Sequence, residues 1–228
     1  MVNITITILS LGGSLIIPNK IDIIFLKKFR LLILKHIKKR NKIAIICGGG
    51  KICRNYTDAA KKLGKIKNLD SDWIGIMATR LNAEFVRAIF SDYAYEKVIY
   101  NPTQRIKTKK RVIIGAGWVP GCTTDNDSIL LAKNLGATQI INLTNVDYVY
   151  DKDPKKYKEA KPIKNLSWNE FLKIISDKHK PSINTPFDPV ASKKAQKLGL
   201  KVIILNGKNP KNLENCLNGR EFKGSVIS

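Results

Sequence analysis

The sequence predicts an α/β protein, a three-layer αβα sandwich with a mainly parallel central sheet, and three observations carry that reading. Short runs of β-branched and aliphatic residues alternate with amphipathic stretches along almost the whole chain, the rhythm of a parallel sheet whose crossovers are helices. The apolar runs lack polar alternation, so they suit strands covered on both faces. Glycine-rich turns follow these runs at Gly12, Gly48 and Gly115, where the strand C-termini of such sheets gather around one crevice.

A chain of 228 residues with 43% hydrophobic content can bury one substantial core. A formal charge of +23 and a pI near 9.9 suit polyanions, anionic membranes or phosphorylated small molecules alike. Lysine supplies most of that charge, scattered in pairs such as Lys27-Lys28 and Lys193-Lys194 in a chain also rich in Ile and Asn. That is the pattern of a biased genome, so nucleic acid is not an expected partner. Cys47, Cys53, Cys122 and Cys216 form no CxxC pair, and His36 and His179 stand alone, so no zinc site is expected. Unpaired cysteines, with neither a signal peptide nor a membrane span, predict a cytoplasmic protein with no membrane partner.

Thr5 to Leu11 reads as a buried opening strand that ends at Gly12-Gly13-Ser14. Two glycines there let a phosphate lie against backbone amides, with the Ser14 hydroxyl as a further donor; a tight turn explains the pair equally well. A helix follows from Asp22 to about Arg40, with the acid at its start and Lys38, Lys39 and Arg40 at its end, as the dipole favours. Phe25, Leu26, Phe29, Leu32, Ile33, His36 and Ile37 line one face, His36 as a flank residue rather than a ligand. Ile24, Leu31 and Leu34 widen the apolar arc beyond what one sheet covers, which points to a subunit contact. Lys42 to Cys47 is the second strand. The Gly48-Gly49-Gly50-Lys51 turn at its end is costly to order unless a ligand uses the exposed backbone, and Arg54, one helical turn beyond Gly50, can face the same anion.

From Leu69 to Phe90, Ile74, Met77, Ala78, Leu81, Phe85 and Ile89 recur at helical spacing behind Asp70, Ser71 and Asp72; capping accounts for one acid and leaves Asp72 open to ribose hydroxyls. Val98 to Tyr100 is a brief strand, and Gln104 to Lys110 a surface connection. Val112 to Ile114 then deliver a small-residue loop, Gly115 to Gly121, onto Thr123, Thr124 and Asp125, an N-cap and acidic first turn for a helix that Gly136 stops. N–H donors, hydroxyls and a helix start in one loop suit an anion. Gln139 to Leu143 is the next buried strand. The segment from Thr144 to Pro154 that follows holds aromatic and acidic residues that suit a nucleobase and its sugar, or an ordinary polar turn. Ser167 and Glu170 make a capping box for a core helix to Ser176, and Asp188 with Pro189 opens another through Leu198. Lys201 to Leu205 is a strand and Gly224 to Ile227 an edge strand. No repeat or linker divides the chain, so one domain spans 1–228.

No GxxxxGK[ST], no GxGxxG with a following acid, no GxSxG and no protein-kinase set occurs. What does occur, in order, is GGS (Gly12 to Ser14), GGGKxxR (Gly48 to Arg54), DxxG (Asp72 to Gly75), TRxNA (Thr79 to Ala83), PGxTTD (Pro120 to Asp125), TNVDxVYxxDP (Thr144 to Pro154) and DPxA (Asp188 to Ala191). This series resembles the amino acid kinase superfamily from the first strand to the terminal Gly224-Ser225-Val226, and the whole chain is similar to its archaeal-type uridylate kinase branch, with TRxNA and PGxTTD narrowing the implied substrate to a nucleotide monophosphate. The resemblance implies an amino acid kinase-like fold, with a UMP-binding lobe at about 1–138 and an ATP-binding lobe at about 139–228. It implies transfer of the γ-phosphoryl of ATP, with Mg²⁺, to UMP, giving UDP and ADP in pyrimidine nucleotide biosynthesis, by a homohexamer built from dimers.

On that resemblance Gly13, Ser14, Gly50, Arg54, Thr144, Asn145, Tyr150 and Asp153 hold ATP. Gly49, Asp72, Trp118, Val119, Pro120, Gly121, Cys122, Thr123 and Thr124 hold UMP, and no residue is assigned to a metal. Asp188 falls at the position of the family's catalytic aspartate, a role compatible with capping a helix. Ser10 stands where many members carry a lysine, which leaves Arg54 and Lys51, ahead of Lys152 and Lys161, as cations for the transferring phosphoryl. Tyr148 replaces a glycine and crowds the adenine side. Two other readings stay open on the sequence: a relative that phosphorylates a carboxylate or an isoprenoid phosphate, and a catalytically silent nucleotide sensor or polyanion binder.

Overall fold

The computed structural model describes residues 5–154, 156–176 and 185–228, and His179 lies outside them. The strands are β1 (Ile6–Leu11), β2 (Lys42–Cys47), β3 (Val112–Gly115), β4 (Gln139–Thr144), β5 (Val149–Tyr150), β6 (Pro162–Ile163), β7 (Asn165–Leu166), β8 (Lys201–Asn206) and β9 (Ser225–Ile227). The helices are α1 (Gly13–Ile16), α2 (Ile23–Lys38), α3 (Gly50–Leu63), α4 (Asn68–Ile89), α5 (Thr124–Leu135), α6 (Trp168–Ser176), α7 (Pro189–Lys197) and α8 (Pro210–Leu217). Seven strands form one sheet in the order β3-β2-β1-β4-β8-β9-β7, parallel from β3 through β8. β5 and β6 pair separately, antiparallel.

Side chains of a strand alternate between faces, and here the alternation sorts the core into two layers. Leu9, Leu11, Ile43, Ile45, Val112, Ile114, Ile141 and Leu143 pack with Phe25, Phe29 and Ile33 of α2, Ala83 and Val86 of α4 and Leu213 of α8. Ile8, Ala44, Ile46, Ile113, Ile140, Val202 and Ile204 pack on the other side with Ile129 of α5, Phe171 of α6 and Ala191 of α7. Each aliphatic side chain enclosed this way contributes roughly 1.5–3 kcal/mol. The run of unalternated apolar residues in each strand is thus the trace of a sheet with helices on both faces, the expected three-layer sandwich.

Helix starts follow the caps read from sequence. Asp22 accepts the Phe25 N–H at 2.9 Å, Thr123 the Asn126 N–H at 3.2 Å and Asp188 the Ala191 N–H at 2.7 Å. Gly136 ends α5 at φ +67°, a conformation glycine adopts without penalty. In two places the structure differs. The segment expected at an edge, β9, is paired on both sides, antiparallel to β8 and parallel to β7, and the short β7 takes the edge. Ser225 of β9 ties the separate β5–β6 pair to this sheet, its hydroxyl accepting the Val149 N–H and donating to the Ile163 carbonyl. α8 was not anticipated, although Asn209 caps it at 3.1 Å and Pro210 opens it. Val98 to Tyr100 contributes only a single parallel bridge, from Ile99 to Gly115.

His36 is buried on α2 with neither ring nitrogen hydrogen-bonded, and burial, then the charge of Lys39, lowers its pKa from 6.5. All four cysteines are free thiols. Among the described residues no helix is long and apolar enough to cross a membrane.

Candidate functional site

Parallel strands β3, β2, β1, β4 and β8 end side by side, and the loops after β2, β1, β4 and β8 are joined in turn by backbone hydrogen bonds. At the centre, Gly12-Gly13 of the first loop and Gly48-Gly49-Gly50 of the second are pressed together. A Cβ on Gly13 would lie 2.1 Å from the Gly50 nitrogen and 2.5 Å from the Gly48 carbonyl oxygen. Gly50 itself sits at φ +65°, where only glycine is unstrained. α3 starts here with no side-chain cap, as does the single turn of α1; the Lys51 N–H goes to the Ile17 carbonyl at 3.3 Å. Lys51 is half-buried in the first turn of α3 and Arg54 is exposed one turn further.

α4 braces this centre against the loop after β3. Asn82, almost wholly buried, donates through its amide to the carbonyls of Gly48 at 2.7 Å and Gly49 at 3.2 Å. Three residues earlier, Thr79 accepts the Gly117 N–H at 2.8 Å while donating to the Ile76 carbonyl at 2.6 Å. Arg80 donates to the carbonyls of Gly117 at 3.4 Å and Trp118 at 3.0 Å, its guanidinium lying 4.4 Å from the Tyr100 ring centroid and 5.9 Å from that of Trp73. Nearer the helix start, Asp72 accepts the Gly121 N–H at 3.0 Å, whereas Asp70 takes the capping bond from the Lys67 N–H at 3.3 Å. Capping thus occupies one acid, Asp70, and leaves Asp72 to the loop after β3. Residues 117–124 and Gly48 to Gly50 are held on one helix. Thr79, Arg80 and Asn82, placed in a motif by the sequence but given no part in the site, make these contacts.

Behind the loop, the first turn of α5 carries two carboxyls in short supply of cations. Asp125 accepts the Asp188 N–H at 2.9 Å and a bond from the Ser10 hydroxyl. The residue keeps some solvent contact, but its carboxyl is enclosed, and that burial pushes its pKa from 3.8 to about 7 against the pull of the two bonds. Asp127 is fully buried and raised to about 6, again by burial first, although it accepts the Cys122 thiol at 3.1 Å and the Trp118 N–H at 3.2 Å. Burial and the Asp127 carboxylate together push the Cys122 thiol up to about 11, so it is a hydrogen-bonding group rather than a nucleophile. Lys194 reaches Asn126 at 2.6 Å from α7 and is the cation nearest this cluster among the groups acting on it. Ser10, where many members of the resembled superfamily carry a lysine, thus serves the carboxyl that anchors Asp188.

On the far side of β1, Gly12 donates to the Leu143 carbonyl at 3.2 Å and Gly207 to the Thr144 carbonyl at 2.9 Å, which joins the β4 and β8 loops to the glycine centre. Thr144 accepts the Val146 N–H at 3.2 Å and faces Asn145 at 3.4 Å; Asn206 donates to Asp147 at 2.9 Å. Tyr150 stands in β5 with Tyr148 edge-on to it, ring centroids 6.4 Å apart. Lys152 pairs with Glu159 at 3.6 Å and overlies Tyr157, at the surface, which weakens its claim to a place among the phosphates.

An α/β sheet whose strand ends carry uncapped helix starts, clasped glycine turns and aromatic-acidic loops on either flank defines a class: a protein that receives anionic ligands at the carboxyl edge of its parallel strands. The chain belongs to the amino acid kinase family, whose model matches residues 5–206. It is 35% identical over 226 residues to the uridylate kinase of Methanobrevibacter smithii, an alignment covering 97% of this chain and 98% of that one. It is 34% identical over 224 residues to that of Pyrococcus abyssi, covering 96% and 98%. Among solved structures, the uridylate kinase of Archaeoglobus fulgidus superposes with a TM-score of 0.83 at 32% identity over 97% of this chain and 99% of that one. The UMP kinase of Ureaplasma parvum, at 22% identity and a TM-score of 0.81 over 99% of both chains, shares the fold.

Proposed function

We propose that this chain is a nucleoside monophosphate kinase that transfers the γ-phosphoryl of ATP to UMP, releasing UDP and ADP. One observation supports the reading: the strand order β3-β2-β1-β4-β8 puts the loop after β3, the clasped glycine turns and the loop after β4 in sequence along a single edge. UMP lies over α4 and the loop after β3, with Gly49 and Asp72 in contact with it and residues 118–124 around its base and phosphate. ATP lies over the β4 and β5 loops, with Thr144, Asn145, Tyr150 and Asp153 at the adenosine end. The phosphates meet at Gly13, Ser14, Gly50 and Arg54. Residues 1–138 thus form the UMP lobe and 139–228 the ATP lobe.

Phosphoryl transfer asks for little covalent help and much positioning and charge neutralisation. The clasped glycines and the uncapped start of α3 supply N–H donors, and Arg54 with Lys51 supplies the mobile positive charge that Ser10 does not. Asp188 caps α7 and, tied to Asp125, keeps that helix start aimed at the centre. Mg²⁺ enters on ATP as part of the substrate. In the cell this step belongs to pyrimidine nucleotide synthesis in the cytoplasm.

Self-association belongs to the same reading. Leu69, Trp73, Met77 and Leu81 form an exposed stripe at four-residue spacing on α4, and Ile23, Ile24 and Leu31 are exposed on α2. A second copy of the chain on these faces gives a dimer, and three dimers the homohexamer; light scattering at micromolar concentration reads the mass. The activity is tested with a coupled ADP assay offering UMP, CMP, dUMP, an isoprenoid phosphate and a carboxylate. Turnover with UMP far above the others is expected. Absence of ADP with UMP, or a clear preference for a non-nucleotide acceptor, overturns the proposal.

A further inference from the structure

We infer that Asn82 and Arg80 are positioning residues that make α4 the gauge between the two substrates, an inference that rests on the UMP and ATP assignment above. The two loops that would carry the reacting phosphates leave neighbouring strands, β2 and β3, whose pairing ends at Ile46 opposite Gly115, so beyond that point the sheet no longer fixes their separation. α4 fixes it instead. Asn82 grips the peptide carbonyls of Gly48 and Gly49 with one amide group, and Thr79 and Arg80 grip the N–H and carbonyl of Gly117 and the carbonyl of Trp118. Residues 79, 80 and 82 occupy a single helical turn, so loop-to-loop distance is set across a rigid hydrogen-bonded segment.

The two residues do different work. Asn82 is nearly wholly buried and has an amide N–H group aimed at two carbonyls, a contact no apolar residue of similar size can make and a carboxylate would repel. Losing it frees the glycine centre from α4 while each loop keeps its own ligand contacts. Arg80 needs the planar fork of a guanidinium: it holds two successive carbonyls and keeps one face on Tyr100. A lysine keeps the charge but cannot span both carbonyls, so the acceptor loop 117–124 slackens. Because a misplacement of about 1 Å costs transfer on the order of 10²-fold, a gauge defect at Asn82 falls on the chemical step and one at Arg80 on acceptor binding.

The test is steady-state kinetics of Asn82→Ala, Asn82→Asp and Arg80→Lys, each normalised to the number of UMP sites per folded chain counted by calorimetry. Asn82→Ala is expected to lower kcat about 30-fold or more with both KM values within about 3-fold, and Asn82→Asp to lower it further. Arg80→Lys is expected to raise the KM for UMP about 10-fold and leave the KM for ATP unchanged. Should the Asn82 variants not fold, the Arg80→Lys split between the two KM values decides alone. Losses that match the loss of UMP sites, or parameters all within 2-fold of wild type, overturn the gauge. A wild-type chain that makes no UDP overturns the substrate assignment and the gauge with it, whereas active wild type with unaffected variants overturns the gauge only.

Discussion

Replacing Gly13 by alanine strikes the contact on which the phosphate centre is built. The new Cβ would stand 2.1 Å from the Gly50 nitrogen and 2.5 Å from the Gly48 oxygen, against the 3.4 Å at which contact becomes ordinary. Both neighbours are backbone, so no side chain can swing aside, and the first and second loops must part by more than about 1 Å. Overpacking of this kind costs about 1–3 kcal/mol of stability, and a shift of that size between reacting groups costs transfer on the order of 10²-fold. The assay is kcat for UDP formation at saturating UMP and ATP, with urea unfolding alongside. Gly219→Ala is the control: it sits at φ +66° after α8 with nothing within 4 Å, so it should lose about 1 kcal/mol and leave kcat unchanged. If Gly13→Ala keeps kcat within 3-fold of wild type, the loops do not need their contact and the reasoning fails.

Three further outcomes follow from the same structure. Arg54→Ala, at an exposed position on α3, should fold like wild type and lose transfer by on the order of 10²-fold or more; an unchanged rate removes Arg54 from the site. Asp125 has a folded pKa raised from 3.8 to about 7, so the folded chain holds the extra proton between those values and stability is lost as pH rises through that window. Allowing for its residual solvent contact, Asp125→Asn should remove about 1–3 kcal/mol of that slope in urea titrations between pH 4 and pH 8; an unaltered slope contradicts the assignment. His36 acts with the opposite sign, since its lowered folded pKa makes stability fall as pH drops below 6.5. Because its ring nitrogens are buried without partners, His36→Leu should raise the urea midpoint by about 1 kcal/mol equivalent and flatten the acid limb; destabilisation at every pH would show that His36 has a polar partner after all.

What the sequence made legible was local chemistry. Caps at Asp22, Thr123 and Asp188, the stop at Gly136 and the glycine turns each declare themselves within four residues, because a cap or a positive-φ turn is satisfied by its own neighbours. Strand faces were legible too, since full burial erases alternation. The misses are long-range. The Gly121 N–H reaches Asp72 across 49 residues, and Asn82 reaches Gly48 across 34, so nothing near either residue announces the partner. Gly224 to Ile227, expected at an edge, lies between β8 and β7. Its inner place depends on β7, two residues long, which has no sequence pattern to find. α8 did have signals, Asn209 and Pro210, but in a short polar helix they lack the apolar periodicity that would draw attention to them. Ser10 was legible only as a missing lysine; its bond to Asp125 needed the fold to bring β1 against α5.

The claim that two nucleotides lie phosphate to phosphate along one sheet edge is tested most directly by a bisubstrate ligand. A linear uridine–adenosine pentaphosphate titrated by calorimetry should bind at one per chain, more tightly than either UMP or ATP, and should be displaced by each of them. Gly13→Ala should weaken it more than it weakens UMP alone. Binding no tighter than that of either nucleotide, or displacement by ATP but not by UMP, would place the two seats apart and contradict the account.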